Sequence, residues 1–317
     1  MNKHIIILIA VILMTATASV FAGSASLKAL DGDQLMSIVF GIRVPRILFA
    51  FVLGSALAMS GAVFQIVLRN PMADSFTLGM ANGAVLGSAL VVVLALPLYL
   101  QPVISIICGI TSLLIVMAAA RRIDAGYRPE TLIITGVLLG AMLSGILYIL
   151  VLIQPDKTES IAGYMFGSMA GATYEDTLVT ALLTAVSGGI VHKYGSQLDL
   201  LNLGDARAFS LGVNTARLRV LLLAAASIPP LVAISFSGII ALVGIIVPQM
   251  IIYFKPMLFR PLLLLSCLYG GLYVLFIDTI GRTLLAPVQI PTGVMVMISA
   301  VPLFIFLMQK RVLAHRQ

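Results

Sequence analysis

The residues of this chain that could carry acid–base or metal chemistry are few. His4, His192 and His315 lie near the ends of apolar segments, and Cys108 and Cys267 lie inside such segments. No histidine pair has zinc-site spacing, and the sequence contains no GxxxxGK[ST] loop for a nucleotide phosphate. We therefore expect the chain to be no enzyme, to bind no metal or cofactor, and to use the cysteines as small apolar side chains.

A polar and mostly basic stretch between two apolar segments is LGDARAFSLGVNTARLR, residues Leu203–Arg219. Gly212 suits a left-handed helix C-cap, and Asn214 or Thr215 suits the N-cap of a following helix. Asp205 suits the positive end of the first helix dipole. The pattern predicts two short helices set at an angle, where a partner could bind from the water. The alternative is a solvated connector whose arginines only follow membrane topology.

Composition identifies the elements that position this loop. The chain has 317 residues, of which 61% are hydrophobic and 10% charged. Such a composition is typical of a polytopic helical membrane protein. The formal charge of +7 does not indicate nucleic-acid binding, because the basic residues lie mostly in short loops between apolar segments.

Hydropathy predicts ten membrane spans. They are Ile5–Phe21, Ile47–Leu68, Leu78–Leu96, Val103–Ala120, Thr131–Ile153, Thr177–Val191, Val220–Ile234, Ile239–Ile252, Leu262–Ile280 and Val294–Met308. The first could be a secretory signal cleaved after Ala22, but its long apolar run and the many later spans favour a retained helix.

Three further segments carry specific expectations. Residues Asp31–Phe40 read as a short amphipathic connector. The span from Ile239 is short and contains Gly244 and Pro248, so we expect a broken or re-entrant helix whose backbone needs protein or water around it. The glycine spacing from Gly163 to Gly171 predicts a short helix that closes the outer end of the bundle.

The distribution of Lys and Arg tests the span count, because these residues collect on the cytoplasmic side. With both termini cytoplasmic, fourteen basic residues fall on that side and five on the other. The fourteen are Lys3, Arg69, Arg121, Arg122, Arg128, Lys193, Arg207, Arg217, Arg219, Lys255, Arg260, Lys310, Arg311 and Arg316. The five are Lys28, Arg43, Arg46, Lys157 and Arg282. Ten crossings therefore place the Leu203–Arg219 loop in the cytoplasm.

No ionisable side chain lies near the centre of a predicted span, where the polar residues include Gln65 and Asn82. Proton-driven carriers usually need such groups, so that class is disfavoured. An ion-coupled secondary transporter with a sodium site of carbonyls and hydroxyls stays open. A structural or receptor-like membrane protein also stays open.

Several segments resemble one family in chain order. They are RVPRILFAFVLGSALAMSGAVFQIVLRNPMADSFTLGMANGAVLG (Arg43–Gly87), the Leu203–Arg219 loop, SGIIALVGIIVP (Ser237–Pro248), DTIGR (Asp278–Arg282) and IPTGV (Ile290–Val294). From about Arg43 to Met308 the chain resembles the permease subunits of type II ABC importers for ferric siderophores, haem and cobalamin.

The resemblance implies a single all-α permease domain, residues 1–317, with about ten transmembrane helices. It implies a second permease as homo- or heterodimer partner, two cytoplasmic ATPase subunits that bind ATP and Mg, and an extracytoplasmic binding protein. The location would be the bacterial inner membrane, in contact with lipid. Ferric siderophore is the first substrate expected from family frequency, followed by haem and cobalamin.

The resemblance also assigns roles to residues. The segment at about 198–219 would couple to the ATPase through Leu203, Gly204, Asp205, Arg207, Ser210, Leu211 and Gly212. Arg43, Arg46 and Arg282 would dock the binding protein, or would instead contact lipid headgroups or pair within the chain, as Arg282 could with Asp278. Asn82, with Met80 and Gln65, would lie at the translocation pathway, unless Asn82 only holds a helix end.

Two departures from the family pattern bear on the partner. Pro248-Gln249 and Ile252 stand where the family commonly has Pro-His and a nearby Arg, and Ala300-Val301-Pro302 replaces Gly-Ala-Pro. A related second permease could supply the missing groups, so these departures favour a heterodimer.

Overall fold

The computed structural model describes residues 2–23, 31–124 and 127–314, and within these ranges the elements are helices and the turns that join them. Lys28, His315 and Arg316, which entered the charge and histidine predictions, lie outside the described residues. The helices are α1 Asn2–Phe21, α2 Gly32–Ile38, α3 Val44–Val67, α4 Met80–Val93, α5 Gln101–Ile123, α6 Pro129–Ile153, α7 Thr158–Phe166, α8 Tyr174–Lys193, α9 Gly195–Leu201, α10 Asp205–Ser210, α11 Thr215–Ser237, α12 Val243–Phe254, α13 Phe259–Thr283 and α14 Thr292–Ala314.

Each of the ten predicted spans coincides with a helix, namely α1, α3, α4, α5, α6, α8, α11, α12, α13 and α14. Among the described residues, 6 helical segments are long and apolar enough to cross a membrane. The sequence predicts one short helix, but two are short: α4 has 14 residues and α12 has 12. The predicted connector Asp31–Phe40 forms α2, which continues through a π-helical turn, Val39–Arg43, into α3.

The helix α3 forms the centre of the domain, because it is buried continuously from Leu53 to Val67. Glycines allow its neighbours to approach it closely. A Cβ atom on Gly54 would lie 2.2 Å from the carbonyl oxygen of Gly270 in α13, and one on Gly61 would lie 2.0 Å from that of Gly244 in α12. The backbones of α3, α12 and α13 are therefore in direct contact.

The predicted break near Gly244 and Pro248 is wrong in position, because α12 continues through both residues. Proline cannot donate to the carbonyl four residues before it, which here is that of Gly244. Gln65 of α3 supplies the missing donor, with Nε2 2.9 Å from the Gly244 oxygen. The helix therefore tolerates Pro248, and the chain breaks earlier, at residues 238–242.

Residues 238–242 are a non-helical connection, with positive φ at Gly238 (72°) and Leu242 (69°). Backbone groups around α7 hydrogen-bond to the start of this connection and to the end of α11. The Ile239 N–H donates to the Tyr164 oxygen at 2.9 Å, and the Ser237 oxygen accepts from the Ser168 N–H at 2.8 Å. The predicted short helix thus exists as α7, but it ends at Phe166, so Gly171 lies beyond it.

Candidate coupling segment and translocation elements

The short helix α10 ends as the sequence predicts. Gly212 follows it with φ of 85°, and the Val213 N–H donates to the Ala208 oxygen at 3.0 Å. The Asn214 side chain then caps α11, because its Oδ1 accepts from the Arg217 N–H at 3.0 Å. The second predicted short helix is wrong: α11 is a full span of 23 residues. Nothing between Asn214 and the apolar run could end a helix, so the two merge.

The coupling segment presents apolar side chains outside the spanning helices. Phe209 is 71% exposed, Leu211 59% and Leu203 52%. By contrast, Ala208 and Val213 on the opposite side of the turn are buried. Apolar side chains that are exposed together on a polar loop are typical of an interaction surface. Arg207 and Ser210 are also exposed. Gly204 precedes α10 with φ of 108°. The sequence predictions did not single out Phe209.

Asp205 has a second role besides its place at the start of α10. Its Oδ1 contacts guanidinium groups of both Arg69 and Arg219, the latter at 3.0 Å. Arg219 is 1% exposed and also donates to the backbone oxygens of Val67 (3.2 Å) and Tyr127 (3.0 Å). We call these three charged residues the Asp205 cluster. The sequence analysis counts these two arginines only as topology signals, but both pair with Asp205 at the start of α10.

A buried network connects α3, α13 and α14 at the end opposite to the coupling segment. Asp278 accepts from Arg46 Nη2 at 2.8 Å, Arg282 Nε lies 3.1 Å from its Oδ2, and Thr292 Oγ1 donates at 2.7 Å. Arg46 also donates to Gln289 Oε1 at 2.7 Å. Arg46 and Arg282 are 4% and 3% exposed. This geometry is the intrachain pairing that the sequence left open.

Arg43 is likewise 4% exposed and donates from Nη1 to the Val20 oxygen at 2.7 Å, at the C-terminal end of α1. Docking of the binding protein by Arg43, Arg46 and Arg282 stays a prediction. To make such contacts, the three side chains would have to leave buried positions. Lys157, another basic residue on this side, donates to the oxygens of Val92 and Val93 at the end of α4.

The residues predicted for the pathway occupy different environments. Met80 is fully buried and Gln65 is 5% exposed. A pathway between two permeases would be lined by side chains exposed on the single chain, so this burial argues against a lining role for both. Gln65 instead joins α3 to α12, where it also accepts from Gln249 Nε2 at 2.7 Å.

Asn82 is half-buried on α4, and its amide lies against α6: a Cβ on Gly140 would meet Asn82 Nδ2 at 2.7 Å. This position fits a contact within the chain. A hydrogen bond across the dimer axis stays a prediction.

Asp74, a carboxyl that the sequence predictions passed over, organises the turn between α3 and α4. Its Oδ1 accepts from the N–H groups of Phe76 (2.9 Å) and Thr77 (3.0 Å). Burial raises the pKa of Asp74 to about 6, although these two hydrogen bonds oppose the shift. The turn brings the chain from the end of α3 to Gly79, whose φ of 70° begins α4.

The whole chain matches known proteins. The model of the FecCD transport family matches residues 4–310. The chain belongs to this family. Its relatives include the hemin transport permease HmuU of Yersinia pestis, 32% identical over an alignment of 320 positions that covers 96% of this chain and 94% of that protein. The Fe(3+) dicitrate permease FecC of Escherichia coli is 31% identical over 280 residues, covering 87% of this chain and 84% of FecC.

The fold also matches a solved structure of a metal-chelate type ABC transporter in an inward-facing conformation. The TM-score is 0.89 at 27% identity, and the match covers 98% of this chain and 100% of that one. The chain is therefore a multi-span permease of the metal-chelate type of ABC importer, as the sequence resemblance implies.

Proposed function

We propose that this FecCD permease moves a ferric siderophore inward through the inner membrane, driven by ATP hydrolysis on separate ATPase subunits and supplied by an extracytoplasmic binding protein. Relatives named for iron dicitrate and hemin support an iron-containing chelate as substrate. The sequence has no phosphate-binding loop, so the nucleotide and Mg belong to the partner chains. Haem and cobalamin are the alternative substrates.

The observation that carries the proposal is the exposed apolar side chains of the coupling segment. Leu203, Phe209 and Leu211 lie on a loop that also carries Arg207 and Arg217. Leaving them in water costs free energy that a cleft on an ATPase would recover. A secondary transporter has no need of such a docking helix.

A second permease would complete the pathway between two chains. We propose a heterodimer, because this chain has Gln249 where the family commonly has histidine, and Gln249 is directed to Gln65 inside its own chain. A related partner would then supply the missing polar group at the dimer axis. A homodimer is the alternative.

Reconstitution tests the proposal. Proteoliposomes that contain the permeases and the ATPase are given the binding protein loaded with radiolabelled ferric siderophore, with ATP inside. We expect uptake only with ATP, and a fall of about tenfold or more when Phe209→Ser and Leu211→Ser are combined, since central apolar anchors dominate docking energy. Ala206→Ser, also exposed on α10, is the matched control.

Two results would contradict the proposal. Uptake by the permease without any ATPase chain would indicate a secondary transporter. Equal ATPase co-purification with the double variant and the control would show that the apolar side chains do not dock the ATPase. Parallel vesicles given binding protein loaded with hemin or cobalamin decide between the substrates.

A further inference from the structure

We infer that the Asp205 cluster is the mechanical link that passes movement of α10 to the central helix α3. Asp205, Arg69 and Arg219 would then be positioning residues, which act on transport without binding the substrate or the nucleotide. The inference rests on the proposed docking of an ATPase on α10 and specifies how that docking reaches the membrane.

The backbone alone attaches α10 weakly. The helix has six residues and lies between Gly204 and Gly212, both with positive φ (108° and 85°). A Cβ on either glycine would lie in open space, so the two glycines themselves are not packed, although Ala208 and Val213 near Gly212 are buried. A displacement of α10 could therefore be absorbed at these turns unless a side chain ties the helix to the bundle.

Arg219 provides that tie. Its guanidinium contacts Asp205 on α10, the Val67 oxygen at the last residue of α3, and the Tyr127 oxygen just before α6. With 1% exposure, this charge needs all of its partners, because an unpaired buried cation is strongly unfavourable. Movement of Asp205 must therefore carry Arg219, and with it the ends of α3 and α6, or break the contact at a high free-energy cost.

Arg69 strengthens the connection to α3. It follows α3 in a left-handed conformation (φ 45°) and contacts the same oxygen of Asp205 as Arg219 does. The α3 end is thus held from two directions. Since α3 contacts α12 and α13 through glycines, a shift at its end reaches the helices around the centre of the domain.

The test measures substrate taken up per ATP hydrolysed in the reconstituted transporter. We expect Asp205→Asn and Arg219→Gln each to lower this ratio by about tenfold, within the range over which single residues change coupling between sites. The ATPase should still co-purify, because the apolar docking side chains remain. Arg121→Gln is the matched control: it removes an exposed arginine in the last turn of α5, outside the coupling segment.

The double variant Asp205→Asn/Arg219→Gln distinguishes a shared link from two separate effects. If both residues act through one contact, the ratio of uptake to ATP hydrolysis in the double variant should equal that of the lower single variant, within about twofold. Losses that multiply, or single variants within twofold of the wild type, would overturn the inference. If Arg219→Gln does not accumulate in the membrane, Asp205→Asn and Arg69→Gln, at side chains 38% and 33% exposed, form the same cycle.

Failure of the proposed function would give a different result. In that case the wild-type protein itself would show no ATP-dependent uptake, and no ratio could be defined for any variant. A wild type that couples normally, together with variants that also couple normally, would reject only the link.

Discussion

Asp278 holds two buried arginines, Arg46 and Arg282, at the ends of α3 and α13. Asp278→Asn would leave both cations without their carboxylate, although the amide still fits the space. We expect a loss of about 3–5 kcal/mol in the free energy of unfolding, because the cost of an unpaired buried charge dominates. Thermal unfolding of the purified protein in detergent checks this.

The control for that prediction is Asp156→Asn, at an exposed carboxylate of the same side. It should change stability by no more than about 0.5 kcal/mol. If the two variants unfold at the same temperature, the Asp278 network does not stabilise the fold.

Sequence spacing predicts contacts within a helix but not between distant segments. The i,i+4 spacing of Asp278 and Arg282 makes their pairing predictable from the sequence, and the structure shows the ion pair. Arg46 reaches the same carboxylate from 232 residues away, and Arg69 reaches Asp205 from 136. Positive-inside counting treats each arginine as an isolated charge, so it could not predict that either belongs to a cluster.

At the scale of elements, glycine contacts between helices should decide how α3 tolerates substitution. Gly61→Ala would place a methyl group 2.0 Å from the Gly244 oxygen of α12. The helices would have to separate, at a cost of about 1–3 kcal/mol for overpacking. Gly145→Ala is the matched variant, because it lies inside α6 with no other atom within 4 Å of the new methyl group.

The two substitutions are therefore expected to have opposite signs. Gly145→Ala should stabilise the helix by about 0.5–1 kcal/mol through its backbone conformational entropy. Denaturation monitored by circular dichroism in detergent measures both. A stabilised Gly61→Ala variant would mean that α3 and α12 do not pack backbone to backbone.

Hydropathy predicted the existence of the ten spanning elements better than their ends. Apolar runs such as Thr131–Ile153 are long and continuous, so the helix follows directly from the period and the length. The break before α12 could not be placed, because Gly244 and Pro248 look like helix breakers until Gln65, almost 180 residues away, is seen to satisfy the freed carbonyl. Tertiary contacts override local preference there.

At the scale of the whole molecule, the arrangement of helices matches the family resemblance, but orientation in the membrane rests on charge alone. Ser160 on α7 and Ser210 on α10 are both exposed, and between them the chain has the spanning helix α8 and the short helix α9. A single crossing places the two serines on opposite sides of the membrane. The distribution of Lys and Arg predicts that Ser210 lies in the cytoplasm.

Single-cysteine variants Ser160→Cys and Ser210→Cys, each with Cys108→Ala and Cys267→Ala, test this orientation. A membrane-impermeant maleimide should label Ser160→Cys in right-side-out vesicles and Ser210→Cys only in inverted vesicles, because a charged reagent does not cross the bilayer. If both cysteines were labelled from one side, α8 would not cross the membrane, and the predicted number of crossings would be wrong. The reverse pattern would put the coupling segment outside the cell, where no ATPase could reach Phe209 and Leu211, and would exclude the proposed mechanism while leaving the fold unchanged.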